Sequence, residues 1–299
     1  MIGKYCYVAQ NHNDSLVGAN GFRFRRIYFT YKNHLDEEID VKFRFEMASS
    51  GDFNTKSKLA PAVKDAFIAF KEDFGKITFG IQSPPTFAKV EGLWGYRSLE
   101  KTPLDLQGWA SSRDFGISFA GKQSILSYTL MLGNSSGNKS ETDKGKRLYA
   151  SVGITPIEGF YIEFYGDYNG IDASSKDYIA QGFVSYKTSP FRIGLLYSRK
   201  GTLGDTNAYN IISGYGVYSV NEGLDVILRY DKMLDGGGKG EGISYIPFAT
   251  NTPSNFVLAG LSYSINKKVK VMPNIEYVFY DTTGVSSDLY PRLTLYYKF

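Results

Sequence analysis

The chain has 299 residues, 42% of them hydrophobic, with 24 Tyr, 21 Phe and 32 Gly, yet its mean hydropathy is negative. A formal charge of +4 is too small to point to nucleic acid, and a single cysteine, Cys6, excludes an internal disulfide. No apolar run approaches the roughly 18–20 residues that a transmembrane helix needs, so a membrane could be crossed only by strands.

Alternating apolar and polar residues recur from end to end. They predict strands over 1–9, 21–32, 39–48, 63–71, 76–82, 112–120, 123–133 and 146–154. The second half adds 159–169, 177–187, 190–199, 208–219, 223–233, 255–264, 269–280 and 288–299, which makes sixteen. Val41, Phe43, Phe45 and Met47 oppose Lys42, Arg44 and Glu46; Leu224, Val226, Leu228 and Tyr230 oppose Asp225, Arg229 and Asp231. Charge on the second face means that it is wet, while the aromatic-rich first face suits lipid. The connections alternate between short ones, such as 72–75 and 188–189, and longer ones, of which 83–111 and 234–254 are the longest. Short periplasmic turns and long outer loops are the pattern of a bacterial barrel. The fold expected is therefore all-β: one transmembrane antiparallel β-barrel domain over residues 1–299. No leader is visible before the strand-like I-G-K-Y-C-Y-V-A, so the chain reads as an exported, mature form.

The last eight residues, R-L-T-L-Y-Y-K-F, place Leu293, Leu295, Tyr297 and Phe299 on one face. This ending resembles the closing strand of bacterial outer-membrane β-barrels, whose terminal Phe is read by the barrel-insertion machinery; the Gly common five residues before the end is Thr294 here.

A sixteen-stranded barrel encloses an aqueous lumen, so function depends on what lines and narrows it. On the face opposite the apolar one lie Arg26, Lys42, Arg44, Arg147, Arg192 and Arg229, and basic residues there outnumber acidic ones. Such a lining either favours anions or only keeps the lumen hydrated. Segment 83–111 mixes Phe87, Leu93, Trp94, Tyr96 and Trp109 with Lys89, Glu91, Arg97 and Lys101. A long loop so rich in large apolar residues needs something to pack against, and the expectation is that this loop after the fifth strand folds inward as a constriction, the alternatives being an outer lid or a subunit contact.

Three stretches carry a closer resemblance: G-F-R-F-R-R-I-Y-F-T-Y-K; K-D-A-F-I-A-F-K-E-D-F-G-K-I-T-F-G-I-Q-S-P-P; and R-S-L-E with S-S-R-D-F-G-I-S-F-A-G. Over residues 20–121 the chain resembles the phosphate-selective porin O and P family. That resemblance implies a constriction loop after the fifth strand and places Arg26, Arg97 and Arg113 in matching motifs. Against a lysine-rich phosphate site, the loop offers only Lys89 and Lys101 with Arg97, offset by Glu91, Glu100 and Asp105.

No catalytic, metal or cofactor constellation emerges. The run D-G-G-G-K-G-E-G at 235–242 lacks the G-K-[ST] ending of a phosphate loop and reads as a flexible outer loop. Neither His12 nor His34 is expected to meet a Ser or Asp partner. The function expected is an outer-membrane channel for small hydrophilic solutes, with a mild anion preference set by Arg26, Lys42, Arg44 and Arg97. Alternatives are a substrate-specific anion channel, or a non-conducting barrel used for adhesion or as an enzyme scaffold. The expected surroundings are outer-membrane lipid and, by analogy with large porins, a homotrimer.

Overall fold

In a computed structural model that describes residues 1–48, 58–171 and 176–298, sixteen antiparallel strands close into one barrel. The first eight are β1 (Ile2–Tyr7), β2 (Asn20–His34), β3 (Ile39–Ala48), β4 (Ala60–Glu72), β5 (Gly75–Gln82), β6 (Asp114–Gln123), β7 (Leu126–Gly133) and β8 (Lys146–Ile154). They are followed by β9 (Phe160–Ile171), β10 (Asp177–Thr188), β11 (Phe191–Thr202), β12 (Ala208–Asn221), β13 (Leu224–Met233), β14 (Ser254–Ser264), β15 (Val269–Tyr280) and β16 (Asp288–Tyr297). Each strand pairs with its neighbours in sequence, and β1 pairs with β16 through Ile2 opposite Tyr296 and Cys6 opposite Arg292. Closure leaves no open edge, the condition under which strands can sit in hydrocarbon. The terminal Phe299 lies outside the described residues.

Period-two alternation sorts the faces. On β11, Phe191, Ile193, Leu195 and Tyr197 point outward and are exposed, while Leu196 and Ser198 point inward and are buried. The hairpin between β6 and β7 turns at 124–125, with Ser124 in the left-handed region at φ 53°, rather than at 121–122 as the alternation alone suggested.

Among the described residues the register shifts at four places, two of them on the β1–β4 side of the barrel. Between β1 and β2, Gly3 faces Phe24 while Ile2 faces Arg26, so Arg25 is the extra residue. Between β3 and β4, Arg44 faces Asp65 and Phe45 faces Val63, so Lys64 is extra. A bulge re-aims its side chains, and here both members of the pairs Arg25–Arg26 and Lys64–Asp65 reach inward-facing partners.

The lumen is filled largely by two long connections. After β5, Pro84 is extended and Pro85 starts helix α1 (Pro85–Trp94), a position that tolerates the missing N–H of proline. Phe87, Val90 and Trp94 form one apolar face, and the helix lies against the inner wall of β7–β10. Gly95, at φ 70°, ends the helix in the left-handed conformation. The chain then runs through a single turn, α2 (Pro103–Leu106), and back to β6. The second connection joins β13 to β14 and buries Ile243, Ile246 and Phe248 against Trp94, Leu99 and Leu106.

Candidate functional site: the lumen constriction

The β5–β6 connection is tied to walls remote from its own strands. Tyr96 donates its hydroxyl to Asp225 on β13, and Lys4 on β1 donates to the carbonyl of Leu99. Arg229 on β13 donates to the carbonyl of Lys101, and Glu100 faces Arg292 of β16 at 3.7 Å. Trp109 Nε1 donates to the carbonyl of Gly237 at 3.1 Å. A segment leaving β5 and anchored on β1, β13 and β16 crosses the lumen.

The glycine run that reads as a flexible outer loop is packed against this segment instead. A Cβ at Gly236 would sit 2.5 Å from the backbone of Asn251, and one at Gly237 would enter the ring of Tyr209, so these positions require glycine. Tyr245, from the same connection, donates to Glu100 at 2.5 Å and lies beneath the Arg25 guanidinium, 3.9 Å from its ring centre.

Beside the loop, a cluster of charged side chains runs along the wall of β2–β4. Asp65 collects three cations: Arg113 at 2.6 Å, Lys42 at 2.9 Å and Arg44 at 3.4 Å. Glu46 collects Arg26 at 2.7 Å and Lys64 at 2.9 Å. Across from them, Arg97 of the loop bridges Glu91 at 2.5 Å and Asp105 at 2.8 Å, and Lys101 reaches Asp105 at 3.4 Å. Burial would raise the Asp105 carboxyl, but Lys101, Arg97, Arg26 and Lys64 hold it well below the usual carboxylate range. Burial pushes the Lys101 ammonium down to about 8, with Asp105 opposing the fall. In total, seven cations share four carboxylates, an excess of three positive charges.

This cluster borders a cavity of about 480 Å³ that runs from Lys64 and Arg113 to Lys267 and Lys298 near the short turns. Arg44 and Arg97 remain 25% and 20% exposed there, enough to present charge to a passing ion. The three arginines of the closer resemblance, Arg26, Arg97 and Arg113, all belong to the cluster.

Other residues expected on the lining lie elsewhere. Arg229 is 2% exposed and locked to Asp231, with its guanidinium over Trp94 and Phe256, so it anchors the loop rather than facing water. Arg147 is held between Asp167 and Asp177. Lys89, on α1, lies over the ring of Tyr161 on the far wall. Arg192 borders a second, larger cavity on the short-turn side. Strict alternation misses Arg25 and Lys64, because each sits at a bulge.

The histidines do find acidic partners. His12 Nδ1 lies 2.8 Å from Asp288 and Nε2 lies 2.5 Å from Glu241, while His34 pairs with Asp40 in the first short hairpin. With both ring nitrogens held by carboxylates, His12 offers no free base.

The sequence matches the Gram-negative porin family over residues 5–284. No curated protein matches it by sequence. Among solved structures, it is similar to an anion-selective porin from Comamonas acidovorans, with a TM-score of 0.71 and 10% identity over 99% of this chain and 97% of that one. It is also similar to the outer-membrane channel DcaP of Acinetobacter baumannii, with a TM-score of 0.66 and 12% identity over 100% and 95% of the two chains. A third is the trimer form of OmpT, an outer-membrane protein of Vibrio cholerae, with a TM-score of 0.64 and 13% identity over 100% and 97%.

Proposed function

Because the chain belongs to the Gram-negative porin family, we propose that its outer-membrane channel carries small hydrophilic solutes past the β2–β4 wall with a preference for anions. The observation that carries this reading is the excess of three positive charges in the constriction. Fixed charge in a narrow passage sets the sign of selectivity, because the low-dielectric walls focus its field. The anion-selective porin among the structural neighbours supports the same sign. Transport is passive, and the buried carboxylates serve as partners for wall cations and tyrosines rather than as catalysts. Outer-membrane lipid covers the aromatic face, the barrel-insertion machinery reads the closing strand, and the protein assembles as a trimer, as the OmpT trimer form suggests.

A phosphate-specific channel is the second reading, favoured by the meeting of Arg26, Arg97 and Arg113 in one cluster. Each of the three is already paired with a carboxylate, which weakens any bidentate grip on a phosphate. Conductance of single channels in a planar bilayer, with phosphate titrated into chloride, separates the two. Weak anion preference without saturable block is the expected result, saturable block would replace this reading with the phosphate channel, and absence of conductance would end both.

A further inference from the structure

Two lumen cations differ from those of the constriction. Arg192 on β11 and Lys270 on β15 both approach the ring of Tyr96, with the guanidinium carbon 5.4 Å and the ammonium 5.6 Å from its centre. Among the described residues, neither lies within ion-pair distance of a carboxylate, whereas every constriction cation has one. Arg192 Nε is buried without a hydrogen-bond partner. Its guanidinium rests against Gly95, where a Cβ would come within 2.8 Å of Nη1. Tyr96 is fixed in turn by its hydroxyl on Asp225, a carboxylate that also accepts from Ser219 Oγ at 2.7 Å. The guanidinium and ammonium are thus positioned without direct ion pairs, although Asp225 and Glu158 line the same cavity.

Their place in the channel gives this a consequence. The constriction cavity and a cavity of about 910 Å³ on the short-turn side share Gly95, Tyr96 and Lys270 as lining. The two cavities therefore meet along these residues, with Lys270 on the border and Arg192 on the short-turn side of it. We infer that Arg192 and Lys270, braced by Tyr96, form a second site for small oxyanions such as carboxylate, sulfate or phosphate, in series with the constriction. A guanidinium supplies paired donors and an ammonium a point charge, both suited to oxyanions. Two weak sites in series let an ion enter readily and still leave, which one strong site would prevent. The inference rests on the anion-passing reading of the lumen.

The test is single-channel conductance of the full-length protein in potassium phosphate, with heat-modifiable gel migration confirming that each variant forms its barrel. An Arg192→Ala/Lys270→Ala variant should lose about half or more of its conductance at ~0.1 M salt and almost none at ~1 M, where charges are screened within about 3 Å. The charge-keeping Arg192→Lys/Lys270→Arg variant should stay near wild type. Equal losses at both concentrations, or a loss under about a fifth at low salt, would overturn the site, since screening must distinguish an electrostatic role from a structural one. If the wild type showed no anion preference in a salt gradient while the low-salt loss persisted, the constriction reading would fail and this site would stand.

Discussion

Asp65 organises the constriction. One carboxylate, 1% exposed, holds Lys42 and Arg44 of β3 together with Arg113 of the β5–β6 connection, so it fixes their geometry and cancels part of their charge. Asp65→Asn should therefore strengthen anion preference while lowering stability by about 1–3 kcal/mol, the cost of leaving buried groups unsatisfied. Reversal potential and denaturant unfolding measure the two effects, and a shift toward cations would contradict this role. Lys101 gives a second handle. Burial pulls its ammonium down to about 8, so its charge is lost as pH rises through that value, and anion preference should decline there. The decline should be smaller in Lys101→Met, and an identical titration in that variant would show that another group is responsible. Lys42 and Arg44 were legible from period two because β3 runs straight past them. Arg25 and Lys64 were not, because a bulge of one residue reverses the face that alternation assigns.

At the scale of elements, the two long connections decide the shape of the passage. The large apolar residues of segment 83–111 showed that it must pack against something, but the helix α1 and its face of Phe87, Val90 and Trp94 were not read from the sequence, and nothing local says which wall receives it. The glycine run at 236–238 misled, since glycine permits close packing as readily as it permits flexibility, and only the neighbouring Asn251 and Tyr209 reveal which applies. Gly236→Ala should displace this connection and produce noisier, larger single-channel currents; unchanged traces would mean that it does not restrict the channel. His12 staples the same connection to the wall through Glu241 and Asp288. Burial alone would lower the imidazolium, but the two carboxylates push it up to about 8. A folded value above the ordinary 6.5 means that the stabilisation is complete below about 6.5 and disappears as pH rises through about 8. Channel noise should grow across that window in the wild type and be high at every pH in His12→Ala. Noise that ignores pH in the wild type would remove the staple from the account.

At the scale of the molecule, the barrel was legible because lipid leaves a strand little freedom: every second residue must be apolar and every backbone group must be paired. Strand number, antiparallel order and loop asymmetry all follow from that constraint, and the closed sixteen-strand ladder agrees with them. The lumen obeys no comparable rule. Where loops pack, its inner face buries apolar residues such as Leu196, Ile227 and Leu258 beside charged ones such as Arg229 and Arg292, and the sequence alone does not separate these charges from those that border the passage. The eccentric passage is thus a product of loop packing laid over a regular wall. The measurement that bears most directly on this is the zero-current potential of the wild-type channel in a potassium chloride gradient. The net positive constriction predicts a potential with the sign of chloride permeating faster than potassium, while a potential of the opposite sign would mean that the carboxylates of that wall, and not its cations, govern the passage.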